Sequence, residues 1–321
     1  MLYRPMTFIN AEVLITGGTG TIGKEIAKAL LKRGQVKGIR LFSRDEEKHR
    51  VARDLLGTNK ISYLVGDVAD KERLSRAMNG VDIVIHAAAM KQVPACEDNP
   101  IEAVKTNIIG TTNVINCSID NEVKKVFFIS TDKAVRPLNL YGATKCVAEK
   151  IILDANKYSP KGTMFAACRY GNILGSRGSV LKIWRDQLDE GNDITVTEQN
   201  MTRFWIRRQD AVKFIFTCVE NMEGGELFIP KMKSCSMLQF ANAFLDAEIL
   251  SDDNPFKIIT TGIRPGEKLH EEISTAGELS YLVDGNDIYR CNSGESFDSF
   301  KSDRYTQQEI IDLIKETVKN G

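Results

Sequence analysis

The chain has 321 residues and a formal net charge of zero, because 43 Lys and Arg residues balance 43 Asp and Glu residues. No basic tract or acidic tail stands out, so nothing points to nucleic acid or a membrane surface as a partner. The seven cysteines are scattered and form no CxxC pair, which predicts reduced thiols, a cytoplasmic protein and no zinc site. No signal-peptide pattern is present, and no apolar run approaches about 18 residues, so no membrane span is predicted.

The first elements predict a dinucleotide site. Residues 12–16 form a strand candidate, a glycine-rich turn follows, and residues 24–32 have the pattern of an amphipathic helix. In this context Gly17 permits a tight turn, Gly20 lets a pyrophosphate approach the backbone, and Gly23 lets the helix pack closely on the strand. The order of strand, turn and helix therefore favours dinucleotide binding.

The end of the second strand, at residues 38–42, indicates which dinucleotide is bound. An NAD enzyme normally places an Asp or Glu near this point for the ribose hydroxyls, whereas this chain has Ser43 and Arg44. A guanidinium can pair with a 2′-phosphate, so we predict NADP. In the alternative, Arg44 is a solvated loop residue and Asp45 binds the ribose.

Two more strands follow, at residues 61–65 and 81–86. After the first, Asp67 either accepts a hydrogen bond from the adenine amino group or caps the next helix. After the second, the small side chains of residues 87–89 leave room for a ligand. A single histidine at a strand end, His86, is predicted to be structural.

The next loop and helix complete the predicted nucleotide-binding half. Lys91 lies directly after the small residues and either is solvated or contacts an anion or a sugar. Residues 100–121 are predicted to form a long helix that carries Asn107. Alternation of strand and helix through residue 158 predicts a right-handed, doubly wound parallel sheet of the Rossmann type.

The strand at residues 124–129 leads into the most informative stretch of the chain. Ligands in open α/β sheets bind beyond the carboxyl ends of strands, so Thr131, Asp132 and Lys133 are expected to face the ligand crevice.

The helix predicted at residues 139–158 places Tyr141 and Lys145 on one face, four residues apart. An ammonium about 4 Å away would favour the phenolate by roughly 4 kcal/mol at an effective dielectric near 20, and desolvation would oppose part of this gain. The pair is therefore a candidate base.

The second half is predicted to be a cap on the first. One predicted helix ends at residue 190, and three others span residues 208–222, 236–246 and 306–319. The predicted strands lie at residues 164–170, 194–197, 227–230 and 257–261. Residues 276–304 are polar with little periodicity. We expect an NADP-binding domain at 1–171, with returning segments near 205–230, and a smaller α/β nucleotide-sugar-binding cap at 172–204 and 231–321.

Several ordered motifs resemble one enzyme family. The GxxGxxG turn with Tyr-xxx-Lys resembles the extended short-chain dehydrogenase/reductase superfamily. Within it, the following motifs resemble the inverting UDP-N-acetylglucosamine 4,6-dehydratases of pseudaminic acid synthesis: Ser-Thr-Asp-Lys-Ala at 130–134, Asn-Leu-Tyr-Gly-Ala-Thr-Lys at 139–145, Arg-Tyr-Gly-Asn at 169–172, Gly-Ser-Arg-Gly-Ser-Val at 175–180, Met-Thr-Arg-Phe-Trp-Ile at 201–206 and Gly-Ile-Arg-Pro-Gly-Glu-Lys-Leu-His-Glu at 262–271. Retaining dehydratases resemble this chain but carry Thr-Asp-Glu where it has Thr-Asp-Lys.

The resemblance implies a mechanism. Tyr141 takes the C4 hydroxyl proton with help from Thr131, C4 is oxidised by NADP+, Lys133 removes the C5 proton, and Asp132 protonates the departing C6 hydroxyl. The hydride then returns to C6 and C5 is inverted, so the cofactor stays bound. Lys133 must be a neutral amine, with a pKa lowered by burial or by a neighbouring cation, and Asp132 must be protonated. Lys145 holds the ribose and the phenolate.

The predicted binding residues fall into two groups. The cofactor group comprises Gly17, Thr19, Gly20, Thr21, Ile22, Gly23, Ser43, Arg44, Lys48, Asp67, Val68, Ala87, Ala88, Ala89, Asn107, Tyr141 and Lys145. The resemblance implies a substrate group of Lys91, Asn172, Val180, Thr197, Arg203 and Arg264, whose arginines face the diphosphate and the uracil. The alternative for Arg203 and Arg264 is surface pairing with nearby acidic residues.

Two rival functions stay open. One is another nucleotide-sugar enzyme on the same scaffold, a 4-epimerase or a retaining dehydratase. The other is a non-catalytic NADP-sensing protein.

The resemblance also implies a homo-oligomer, for which the helices at residues 99–121 and 140–157 would form the dimer face.

Overall fold

A large sheet runs through the computed structural model, which describes residues 6–176, 178–249, 255–278, 280–291 and 296–319. Its strands and those of three smaller sheets are β1 (Glu12–Thr16), β2 (Gly38–Ser43), β3 (Ile61–Val65), β4 (Ile83–His86), β5 (Lys125–Ile129), β6 (Met164–Cys168), β7 (Asn172–Ile173), β8 (Ile194–Val196), β9 (Thr202–Ile206), β10 (Leu227–Pro230), β11 (Ser234–Ser236), β12 (Ile258–Thr260), β13 (Glu272–Ser274), β14 (Ser280–Asp284), β15 (Asp287–Cys291) and β16 (Phe297–Asp298).

The α-helices of the described chain pack on this sheet and build the cap. They are α1 (Thr21–Arg33), α2 (Glu46–Leu56), α3 (Lys71–Met78), α4 (Val93–Asp98), α5 (Pro100–Val104), α6 (Gly110–Asp120), α7 (Leu140–Asp154), α8 (Val180–Asp189), α9 (Arg208–Asn221), α10 (Met237–Glu248) and α11 (Gln307–Lys319). None of the helices in the described ranges is both long and apolar enough to cross a membrane.

Within the described ranges the large sheet has nine strands in the order β15-β14-β10-β6-β5-β4-β1-β2-β3. Neighbours from β3 to β14 are parallel, and β15 is antiparallel to β14. The chain runs outward from β1 to β3 and returns to place β4 on the other side of β1. This reversal confirms the predicted Rossmann-type, doubly wound sheet and opens a crevice at the carboxyl ends of its strands.

Burial on both faces explains why these strands are apolar. β4 is buried throughout, and β5 is buried from its second residue onward. One hydrophobic cluster covers each face of the sheet, and a third forms the core of the cap around Trp184, Phe240 and Phe244. The cap therefore has its own packed core beside the crevice.

The hairpin of β14 and β15 falls in the stretch where the sequence shows little periodicity. It extends the large sheet, although the sequence analysis assigns this stretch to the cap. Its strands lie at the sheet edge and are only partly buried, so their apolar pattern is weak. Beside it, the buried Arg169 pairs with Glu149 at 2.5 Å and with Glu278 at 2.7 Å. The division into two domains stays a prediction.

Three helical features differ from the sequence-based prediction. The sequence-based prediction gives no bounds for the short helices α2 and α3, which begin where Asp45 and Asp70 accept backbone hydrogen bonds. The single helix predicted over residues 100–121 is divided by a π-helical turn, Lys105–Ile109, between α5 and α6. Asn107 lies in this turn.

Candidate active site

A cavity of about 1370 Å³ lies between the carboxyl ends of the strands and the cap. It brings together predicted residues from both halves of the chain. The predicted residues that line it are Gly17, Thr19, Gly20, Thr21, Ile22, Ser43, Arg44, Lys48, Asp67, Val68, Ala87, Ala88, Ala89, Lys91, Thr131, Lys133, Tyr141, Lys145, Asn172, Val180, Thr197, Arg203 and Arg264. Among the described residues, Gly23, Asn107 and Asp132 lie behind this lining.

The glycine-rich turn has the form of a phosphate cradle. Gly17 has a φ of 65°, and an added Cβ would lie 2.9 Å from the carbonyl carbon of Ala87. Gly20 is the residue before α1, so the turn meets the first free N–H groups of that helix. A Cβ on Gly23 would lie 2.6 Å from the Gly18 Cα, so Gly23 serves the packing of the turn. The residues present therefore fit a dinucleotide pyrophosphate.

The end of β2 presents both Arg44 and Asp45 to the cavity, and Asp45 is already engaged by the start of α2. Asp45 accepts a hydrogen bond from the Lys48 backbone at 3.0 Å and pairs with its ammonium at 2.6 Å. Arg44 is about half exposed and makes one ion pair with Asp67, at 3.4 Å. Asp67 accepts from the Ala69 N–H, and the residue that caps α3 is Asp70, so the alternative that Asp67 caps the next helix is wrong.

Asn107 hydrogen-bonds to the loop after β4, which lines the cavity. Its Oδ1 accepts from the Met90 N–H at 2.8 Å, and its Nδ2 donates to the Met90 carbonyl at 3.0 Å and to the Thr144 hydroxyl at 2.9 Å. The amide is thus engaged by the protein itself, and the contact of Asn107 with the cofactor stays a prediction. His86 is structural as predicted, because it is buried and hydrogen-bonded to Thr16 and Thr111.

Five polar side chains meet at the end of β5. The Thr131 hydroxyl donates to Asp132 Oδ1 at 3.0 Å, and Lys133 Nζ donates to the same oxygen at 3.1 Å. Lys133 Nζ also donates to Asn172 Oδ1 at 3.3 Å and lies 3.4 Å from Glu271 Oε1. We name Asp132, Lys133 and Glu271 the acid-base cluster.

The charges in the acid-base cluster shift two pKa values in the same direction. Burial raises the pKa of Asp132, and Glu271 adds to this rise against the opposing Lys133 ammonium. Burial alone would lower the pKa of Lys133, but the carboxylates of Asp132 and Glu271 outweigh it and raise this pKa. The Asp132 pKa is thus shifted in the direction that the predicted role needs, whereas the predicted lowering of the Lys133 pKa is wrong.

Tyr141 and Lys145 share a helix face but are held in different surroundings. Lys145 Nζ donates to the Ile129 carbonyl at 2.6 Å and lies 3.8 Å from the centre of the Phe128 ring, and burial lowers its pKa to about 7. Burial raises the pKa of Tyr141 to about 12, which the Lys133 ammonium offsets only partly. The cation that acts on the phenol is thus Lys133, and the predicted phenolate is not favoured without a ligand.

The two arginines of the predicted substrate group differ in their surroundings. Arg203 is buried and donates to the carbonyls of Thr202 and Lys268, so it holds the segment before β13. Arg264 is exposed, and its Nε lies 3.3 Å from Glu267 Oε1. This is the surface pairing with an acidic residue that the sequence left open as the alternative. Both still line the cavity.

Glu271, the last residue of the motif at 262–271, is not among the predicted site residues. It is 3% exposed and contacts Lys133 directly. Spacing carries no signal for it, because the two residues are brought together only when the cap folds against the end of β5. The position of this acid directly after the charged turn at residues 262–268 was the available hint.

The chain is similar to sugar-modifying proteins. A family model described as polysaccharide biosynthesis protein matches residues 13–293. The chain is 41% identical to the UDP-N-acetylglucosamine 4,6-dehydratase (inverting) of Campylobacter jejuni subsp. jejuni serotype O:23/36 (strain 81-176), covering 97% of this chain and 99% of the relative. It is 39% identical to a UDP-glucose 4-epimerase of Rickettsia conorii (strain ATCC VR-613 / Malish 7), covering 88% and 83%. The X-ray structure of Pen from Bacillus thuringiensis matches with a TM-score of 0.90 and 36% identity, covering 97% of this chain and 99% of that one.

Proposed function

The chain belongs to the polysaccharide biosynthesis protein family, and from this membership and its active-site geometry we propose that it is an inverting UDP-N-acetylglucosamine 4,6-dehydratase. The observation that carries the proposal is the 3.1 Å contact of Lys133 Nζ with Asp132, beside Thr131 and Tyr141. An epimerase needs one base at the C4 hydroxyl. A dehydratase also needs a base at C5 and an acid at the C6 hydroxyl, and this pair supplies both.

Each residue of the site then has a task. The glycine-rich turn at residues 17–23 and Arg44 would hold the dinucleotide, which would supply hydride transfer away from C4 and back to C6. Tyr141 takes the C4 hydroxyl proton, and Thr131 orients that hydroxyl. C4 oxidation acidifies the C5 proton, which Lys133 removes as a neutral amine, while Asp132 protonates the departing C6 hydroxyl. Delivery of a proton to the opposite face of C5 inverts that centre.

Product mass tests this function against its nearest rival. The purified protein is incubated with UDP-N-acetylglucosamine, and the nucleotide sugar is analysed by mass spectrometry. A product lighter by one water supports the dehydratase. A 4-epimerase, the function named for the Rickettsia relative, leaves the mass unchanged, and a non-catalytic protein leaves the substrate itself unchanged.

We propose NADP as the cofactor, supported by the position of Arg44 at the end of β2. Arg44→Ala is expected to weaken NADP binding about ten- to a hundredfold, since a hydrogen bond to a charged group contributes about 1.5–3 kcal/mol. NAD binding should stay nearly unchanged, and isothermal titration calorimetry measures both. Arg50→Ala is the matched control, because Arg50 lies on the exposed face of α2 and pairs with Glu47 and Asp54. Equal loss for both dinucleotides would contradict the assignment.

We also propose a homo-oligomer that buries the face of α5, the π-helical turn and α7. Three apolar side chains on these elements are exposed: Ile101 (66%), Ile109 (47%) and Val147 (44%). Ile101→Glu combined with Val147→Glu is expected to reduce the mass measured by light scattering to that of one chain. The control is Ile183→Glu, on the exposed side of α8, and dissociation by the control alone would place the interface elsewhere.

A further inference from the structure

Glu271 lies immediately before β13, where the cap meets the end of β5. Its side chain is 3% exposed, and its backbone N–H donates to the Ser299 hydroxyl at 2.9 Å. Its carboxylate lies against Lys133. No step of the mechanism above uses it, yet burying a carboxylate is costly unless it is paired.

Three cations surround the Glu271 carboxylate within the part of the chain that the structure describes. Lys133 Nζ lies at 3.4 Å, Lys268 Nζ at 3.8 Å and Arg203 Nε at 3.9 Å. Asp132 pairs with one cation among the described residues, Lys133. The surroundings therefore favour a negative charge on Glu271 more strongly than on Asp132.

The hydrogen bonds of Asp132 fit a protonated acid. Its side chain is fully buried, and Oδ1 accepts from Thr131 and Lys133. Oδ2 is buried and has no hydrogen-bond partner in the described structure. Glu271 Oε2 likewise has no hydrogen-bond partner there, but the Lys268 ammonium lies 3.8 Å from it. A bare oxygen is costly on a buried carboxylate, whereas protonation places a donor there.

We propose that Glu271 is a positioning residue that serves as the ionised partner of Lys133, so that Asp132 keeps the proton that the C6 hydroxyl requires. The proposal rests on the dehydratase function. It assigns one negative charge to the two carboxylates of the acid-base cluster, because two carboxylates that share one buried cation do not ionise equally. The other charged or titratable groups that face the cluster are Arg203 and Lys268 from the cap, Tyr141 from α7 and Lys91 from the loop after β4.

Glu271 is also the ionised group to which Lys133 can pass a proton. Transfer from Lys133 Nζ to the Glu271 carboxylate leaves a neutral amine. That amine takes the C5 proton, the C5–H electron pair forms the C5–C6 double bond, and the C6–O bond breaks. The departing hydroxyl takes the Asp132 proton and leaves as water. Protons and charges balance among the three side chains. The Glu271 carboxylate, which raises the Lys133 pKa, is thus also the acceptor of the Lys133 proton.

The test is the Glu271→Gln protein, whose amide is similar in size but neither ionises nor accepts this proton. In the ligand-free protein, Asp132 then becomes the counter-ion of Lys133. We expect the infrared carboxylic-acid C=O band of Asp132 to disappear in Glu271→Gln. This band is assigned by carboxyl-¹³C aspartate labelling and by its absence in Asp132→Asn. Dehydration should fall about 10²- to 10⁴-fold, while C4 oxidation, followed as reduced nicotinamide in one turnover, should change less than about tenfold.

Two further variants separate this role from a structural one. Glu271→Asp restores an ionisable group and should recover the band and part of the dehydration rate. Glu272→Gln, at the next residue, removes a carboxylate that pairs with Arg136. This variant should keep the Asp132 band and the wild-type dehydration rate. A Glu271→Gln protein that keeps the Asp132 band overturns the proposal, whatever its activity. Wild-type protein that only epimerises would refute the dehydratase function, and the band would still test the assignment to Glu271.

Discussion

Lys133→Met is expected to abolish dehydration while leaving C4 oxidation in place. Methionine keeps an unbranched side chain, one heavy atom shorter, but provides no base for the C5 proton, so product formation should fall about 10²- to 10⁴-fold. Tyr141 and the cofactor site remain, so the reduced nicotinamide should accumulate in a single turnover. Stopped-flow absorbance measures the oxidation, and mass spectrometry measures the product.

The fold should tolerate this change. After loss of the ammonium, Glu271 still pairs with Arg203 and Lys268, and the buried Asp132 can stay protonated. Lys182→Met on the exposed side of α8 is the matched control and should keep wild-type activity. If Lys133→Met retained dehydration within about tenfold of wild type, Lys133 would not be the C5 base.

Tyr141→Phe is expected to stop the reaction one step earlier. Without the phenol no group takes the C4 hydroxyl proton, so both the reduced nicotinamide and the dehydrated product should fall about 10²- to 10⁴-fold. This absence of reduced cofactor distinguishes the variant from Lys133→Met. The same stopped-flow and mass measurements apply to both proteins.

Tyr158→Phe is the control for loss of a phenol, because Tyr158 lies just after α7 and is 50% exposed. It should behave as wild type. Accumulation of reduced nicotinamide by Tyr141→Phe would show that another group takes the C4 proton. The nearest basic side chain on the same helix is Lys145, and burial lowers its pKa to about 7.

The parts of the fold that the sequence predicts are those fixed by local patterns. Buried strands such as β4 and β5 have apolar runs, and their carboxyl ends meet at one edge, so Thr131, Lys133 and Ala88 are found at one cavity. The hairpin of β14 and β15 lies at the sheet edge and carries no such run. Its position depends on pairing with β10, which is distant in sequence.

The protonation states of the site are less predictable, because they depend on contacts between distant segments. The spacing of Tyr141 and Lys145 predicts a shared helix face, but Lys145 instead donates to the carbonyl of Ile129. The pKa of Lys133 is raised because the cap brings Glu271 to 3.4 Å from its Nζ. No motif within residues 130–145 contains that information.

Proton NMR of the reaction in D2O tests the central claim, that Lys133 and Asp132 carry out dehydration with inversion at C5. Purified protein is mixed with UDP-N-acetylglucosamine without added reductant. We predict a 6-deoxy-4-keto sugar with deuterium at C5 and the inverted C5 configuration. A product with retained C5 configuration, or a sugar changed only at C4, would contradict the account.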